Sequence, residues 1–73
     1  MNYNSEEIAN KLTILMFSGF SVEDIAEISK TSIHDVELAM NQQTNISDRA
    51  QRFLIPTIEK LYNQVSQLNY NPA

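Results

Sequence analysis

Two five-residue strings, Ser21-Val22-Glu23-Asp24-Ile25 and Ser32-Ile33-His34-Asp35-Val36, repeat one pattern at an 11-residue offset. Each opens on a serine, a residue that caps helices by accepting a backbone N–H. Each places an aspartate at the third helical position, where a carboxylate also suits the positive end of the helix dipole. An 11-residue period holds one short helix and a link of three residues, here Lys30-Thr31-Ser32. The chain must therefore reverse quickly between two short helices. Two copies are too few for a solenoid, so the pattern is read as a pair of capped helices.

The flanks supply two more helices. The first is expected from about Ser5 to Ser18, capped by Asn4 with Glu7 at the reciprocal capping-box spacing. Ile8, Leu12, Leu15 and Met16 fall on one stripe at helical spacing. Gly19, the single glycine, stands where a left-handed residue ends a helix, and Phe20 follows as its apolar companion. In the second helix, to about Ser29, Ile25, Ala26 and Ile28 are taken as inward. In the third, Ile33, Val36, Ala39 and Met40 are. Asn41-Gln42-Gln43-Thr44-Asn45 reads as a polar loop. A fourth helix is expected from Ser47 to about Asn69, capped by Asn45 or Ser47, with the tail from Tyr70 to Ala73 fraying. Pro56 lacks a backbone donor and clashes with the preceding turn, which predicts a kink or break there. The fold class is thus all-α: one domain over residues 1–73, with a two-helix unit over 21–41 and a packing helix over 47–69.

A chain of 73 residues buries only about 60% of its unfolded surface. Such scaffolds commonly add disulfides, a metal or a second copy. With no Cys and one His, neither a disulfide nor a metal or other cofactor is expected, which leaves oligomerisation. Leu54, Ile58, Leu61, Val65 and Leu68 recur at heptad gaps on the fourth helix. Since Leu61, Val65 and Leu68 are expected to lie beyond the reach of a compact three-helix core, a homodimer held by this seam is expected, against the alternative of a kinked helix closing a monomeric bundle. Pro56 would then separate a domain-packing half, Phe53 to Ile55, from a dimerising half, Ile58 to Leu68. The N-terminus lacks the basic and apolar regions of a signal peptide. The longest apolar run, Ile14 to Phe17, is far short of the roughly 20 residues that span a bilayer. A cytoplasmic protein without a membrane partner is expected.

Ile25-Ala26, with Val36 and Ala39 spaced to pack back on them, resembles the helix-turn-helix superfamily of small bacterial and phage regulators over Ser21–Met40. The sequence departs from that family at the turn, where Lys30 replaces the usual glycine and Thr31 the usual aliphatic residue. The resemblance implies that Ser32, Ile33, His34, Glu37, Leu38 and Asn41 would face a DNA groove. Base readout relies chiefly on Arg, Lys, Asn and Gln, and this face offers Asn41 with Gln42 beside it. The net charge is −4, and Lys30 stands in the motif against Glu23, Asp24, Glu27, Asp35 and Glu37. Phosphate attraction, the source of non-specific DNA affinity, is disfavoured. The partner-binding face is accordingly assigned to Ile33, His34, Glu37, Leu38 and Asn41, with a protein, such as a transcription regulator, as the partner.

Lys11, Arg49, Arg52 and Lys60 form either a modest basic strip or a solvated face with pairs such as Arg52 to Asp48. His34 is either a pH-sensitive contact or an ordinary first-turn residue. Tyr3, Tyr62 and Tyr70 are interface anchors or packing residues. No catalytic constellation is present: there is no thiol, one imidazole, no glycine-rich loop, and carboxylates at helix starts where capping accounts for them. Three readings follow. The first is a non-enzymatic regulator acting through protein contacts, akin to phage-type modulators and antirepressors. The second is a dimeric helix-turn-helix DNA regulator. The third is a structural oligomerisation module.

Overall fold

The computed structural model describes residues 3–69, and of these the side chains up to Gln67. Among the described residues there are four α-helices, α1 (Ser5–Phe17), α2 (Val22–Ser29), α3 (Ile33–Met40) and α4 (Ile55–Asn69), with a π-helical turn, Ala50–Leu54, leading into α4. Among the described residues there is no strand, and the fold is all-α. The side chain of Leu68 and the tail from Tyr70 lie outside the described part.

The helix starts follow the serine and asparagine caps. Asn4 Oδ1 accepts from the Glu7 N–H at 3.1 Å. Glu7 turns its carboxylate to Lys11 at 3.0 Å. Ser21 and Asp24 form a complete capping box, with both bonds at 3.0 Å. The second copy of the pattern is only half closed. Ser32 Oγ accepts from the Asp35 N–H at 3.1 Å, but the Asp35 carboxylate accepts from Ser47 Oγ at 3.2 Å. Ser47 in turn caps the last helical segment by accepting from the Ala50 N–H at 3.1 Å. One carboxylate thereby ties the start of α3 to the start of the final segment.

The ends of α1, α2 and α3 share a single device. Gly19 (φ 113°), Lys30 (φ 60°) and Gln42 (φ 60°) have positive φ. The following N–H reaches back across each turn: Phe20 to the Leu15 carbonyl, Thr31 to Ala26 and Gln43 to Leu38, at 3.0–3.1 Å. This is the Schellman pattern, which satisfies carbonyls left over at a helix end. Thr31 also accounts for its own departure from the aliphatic pattern. The buried Ser29 hydroxyl lies 2.7 Å from the Ile25 carbonyl and 2.7 Å from Thr31 Oγ1. It donates to the first and accepts from the second, so the buried Ser29 hydroxyl is not orphaned.

Leu12, Leu15, Ile25, Val36, Leu54 and Ile58 are fully buried at the centre of the core, with Ala26 and Ala39 beside them. Ile28 (49% exposed) and Ile33 (45%) are not inward as expected. The inner line of α2 runs through Ile25, Ala26 and Ser29, and Ile28 falls off it. Ile33 occupies the first helical position of α3, before the inward stripe begins at Val36.

The seam of α4 is the main correction. Leu54 and Ile58 are wholly buried and Leu61 and Val65 only 9% and 7% exposed, all within a single chain. The cover is α1. Its 13 residues span about 20 Å at about 1.5 Å per residue, enough for several turns of α4, and the α1–α4 contact is the most extensive between helices. The two run in the same direction: Tyr3, Glu7 and Ile8 lie level with Ile55 and Glu59, and Lys11 reaches Glu59 and Tyr62. Leu54, Ile58, Leu61 and Val65 are therefore core residues, not a dimerisation surface, and nothing in the described part of the seam requires a symmetry mate.

The irregularity expected near Pro56 takes the form of a π-helical turn just before it. The Ile55 N–H bonds to the Ala50 carbonyl, five residues back. Within a regular α-turn the proline ring would crowd the carbonyl four residues earlier. A widened turn directly before it takes up that misfit. Pro56 itself sits exposed in the first turn of α4. Phe53 is 46% exposed, so the stretch from Phe53 to Ile55 packs inward through Leu54 and, in part, Ile55. Ile46, 4% exposed inside an otherwise polar loop, and Ala50 complete the core.

Candidate functional site

The exposed side of α3 carries an open groove of about 460 Å³, lined by Val22, His34, Glu37, Leu38, Met40 and Asn41. The reversal at Lys30 lays the start of α2 beside the end of α3, which brings Val22 next to Met40 and Asn41. Val22, Leu38 and Met40 are half-buried and pack their inner sides on the core. Their outer sides form an apolar floor, with His34, Glu37 and Asn41 exposed around it.

Four of the five residues expected to bind a partner, His34, Glu37, Leu38 and Asn41, are thus brought together. Ile33 is exposed but does not line the groove. Val22 and Met40 had not been assigned to this face. Val22 was discoverable: it stands three and four residues before Ile25 and Ala26, on the side of α2 that turns toward α3. No Lys or Arg lines the groove.

The cations lie elsewhere and in two different states. Lys11 is held between carboxylates, with Nζ 2.8 Å from Glu59 Oε1 and 3.0 Å from Glu7 Oε1, and 5.1 Å from the centre of the Tyr62 ring. Its hydrogen bonds to Glu59 and then Glu7 hold its pKa above the ordinary lysine value, against a smaller opposing effect of burial. Lys11 is therefore a link between α1 and α4 and no part of a basic strip. Arg49 is exposed yet restrained: Nε donates to the Lys30 carbonyl at 2.8 Å, and the guanidinium lies 5.0 Å from the centre of the Phe53 ring. Among the described residues the only ion pairs are those of Lys11, and the expected Arg52–Asp48 pair is not formed.

A second hollow, of about 400 Å³, opens between α1 and α4 at Tyr3, Asn4, Glu7, Ile8, Ile55 and Glu59. The Tyr3 hydroxyl is buried there without a hydrogen-bond partner among the described residues, and desolvation raises its pKa. Tyr3 packs against the core and Tyr62 lies under Lys11, so both are packing residues. Among the described residues no three His, Asp or Glu groups are placed to hold a metal ion. Nor is any helix long and apolar enough to cross a membrane. No protein-family model, curated protein or solved structure matches the chain.

Proposed function

We propose that this chain is a small, non-enzymatic regulatory protein of the cytoplasm, acting by protein–protein contact through the α3 groove, in the manner of phage-type modulators and antirepressors. One observation carries the reading: an apolar floor of Val22, Leu38 and Met40 lies open beside Glu37, with no cation on its rim. Apolar surface left open between polar residues is the usual mark of a contact site. A duplex offers phosphates, which Glu37 repels. A protein segment offers apolar side chains for the floor and a basic group for the carboxylate.

The test is a photo-crosslinking residue in place of Asn41, used in the native cell. The expected product is a discrete protein adduct that disappears when Leu38→Asp is added to the folded chain. A nuclease-sensitive adduct overturns the reading. A second reading, a helix-turn-helix DNA regulator, draws support from the left-handed Lys30 turn between two short helices and from the exposed Asn41. It requires salt-sensitive binding to random duplex at low ionic strength.

A further inference from the structure

Beside the turn that leads into α3, outside the groove lining, the surface has the inverse character. Arg49 is stacked on the exposed ring of Phe53 and fastened to the Lys30 carbonyl in the turn that leads into α3. Both restraints act on one side chain and leave the terminal nitrogens of the guanidinium without a hydrogen-bond partner among the described residues. Little side-chain entropy remains to be lost when they meet an acceptor. Among the described residues no carboxylate pairs with Arg49. Arg with an aromatic ring is also the composition most enriched at protein contacts.

We infer that the occupant of the α3 groove in the isolated chain is a second copy, whose Arg49–Phe53 pair enters it. The aromatic ring meets the floor of Val22, Leu38 and Met40, and the guanidinium meets Glu37. Charge and polarity match on both counts, and both halves of the match belong to one sequence. Because one chain carries both halves, the contact can be made twice. The pair sits at the turn that leads into α3, and the groove runs along α3 from His34 to Asn41. A two-fold axis then sets each pair against the partner's groove at once. The contact is isologous and closes at two copies. Repulsion between chains of net charge −4 is screened beyond about 10 Å at about 0.1 M salt, so the short-range pairing governs. The dimer covers the groove to which the regulatory contact is assigned. Self-association and partner binding therefore compete.

Sedimentation velocity on the purified chain, at about 0.15 M salt and from micromolar to millimolar protein, tests this without any partner. It stays separate from the regulatory reading, since a strictly monomeric chain sinks the dimer and leaves the groove free for other proteins. A reversible dimer is expected for the natural sequence. Arg49→Glu and Glu37→Arg should each raise its dissociation constant by about tenfold or more, and the double variant should recover most of that loss. Folded single variants that dimerise as tightly as the parent, or a double variant no tighter than the singles, overturn the pairing. Should Arg49→Glu fail to fold, a cross-link decides. The chain has no Cys, so Phe53→Cys and Asn41→Cys can be mixed and joined by a short bis-maleimide. A covalent heterodimer supports the contact, and its absence from the mixture overturns it.

Discussion

The α2–α3 pair and the α1–α4 pair are both helical packings, yet they are built from signals of different range. In α2–α3 each boundary is set within five or six residues: a serine cap, an aspartate on the first turn, and a left-handed residue that closes the helix. In α1–α4 the packing joins segments nearly fifty positions apart, as in the Lys11–Glu59 pair (|i−j| = 48). Local devices fix where helices start and stop. They do not say which helix covers which. A heptad seam on α4 is compatible with a symmetry mate and with α1 alike, and the hydrophobic effect, being non-directional, does not choose between them. Chain geometry chooses: α1 is long enough and lies alongside.

The sharpest break of this comparison is a charge placed in the α4 seam. Leu61→Lys combined with Val65→Lys is expected to unfold the isolated chain, because it buries two unpaired ammonium groups in a core with little stability to spare. Ile58→Ala, which only opens a cavity, should cost about 2–5 kcal/mol. Circular dichroism with urea titration measures both. If the double lysine variant remains a folded monomer, α1 is not the cover and the seam is a surface after all.

The middle of the scale concerns the helix ends, where one device is made by three different residues. Gly19 has φ 113° with open space around the missing Cβ, so the cost of Gly19→Ala is backbone strain alone. We expect a loss of about 1–2 kcal/mol. Lys30 and Gln42, at φ 60°, lie in the left-handed well that non-glycine residues tolerate with modest strain. Glycine there relieves the strain but adds freedom to the unfolded chain, and the two effects nearly cancel. Lys30→Gly and Gln42→Gly should therefore stabilise by no more than about 0.5 kcal/mol. Thermal melts of the three variants rank the sites, and a Gly19→Ala chain as stable as its parent would remove the strain argument.

The same division decides what the amino-acid sequence could reveal. The helix ranges, the capping residues and the left-handed role of Gly19 were legible because each depends on its near neighbours. So were His34, Glu37, Leu38 and Asn41 as one accessible face, since helical spacing alone brings them together. Ile28 and Ile33 were misassigned because hydrophobicity was counted without the exact phase of the inner stripe. Ile46 was missed because a single apolar residue in a polar loop has no period. Phe53 and Arg49 were missed as a pair because Arg49 is placed by a carbonyl 19 residues away, in a turn whose position depends on the packed fold.

A small effect is also expected at Lys11, the polar link across α1 and α4. Its carboxylate partners are well exposed, Glu7 at 59% and Glu59 at 43%, while the lysine side chain is 14% exposed. Pairs of this kind contribute about 1 kcal/mol or less, so Lys11→Met, which keeps an unbranched apolar side chain at this position, should change stability within that range. The pH dependence carries the more specific signature. Hydrogen bonds to Glu59 and Glu7 hold the folded-state pKa of Lys11 above its ordinary value. The folded chain thus binds the proton more tightly than the unfolded one. The resulting stabilisation is complete below the ordinary lysine value of about 10.4 and is lost as pH rises through the raised folded value. Denaturant midpoints from neutral to strongly alkaline pH should therefore fall less steeply above about pH 10 in Lys11→Met than in the parent. Tyr3, whose pKa is raised by burial, works in the same direction and is common to both chains, so the difference between them isolates Lys11. Superimposable profiles would show that the bridge between α1 and α4 adds nothing to the apolar seam beneath it.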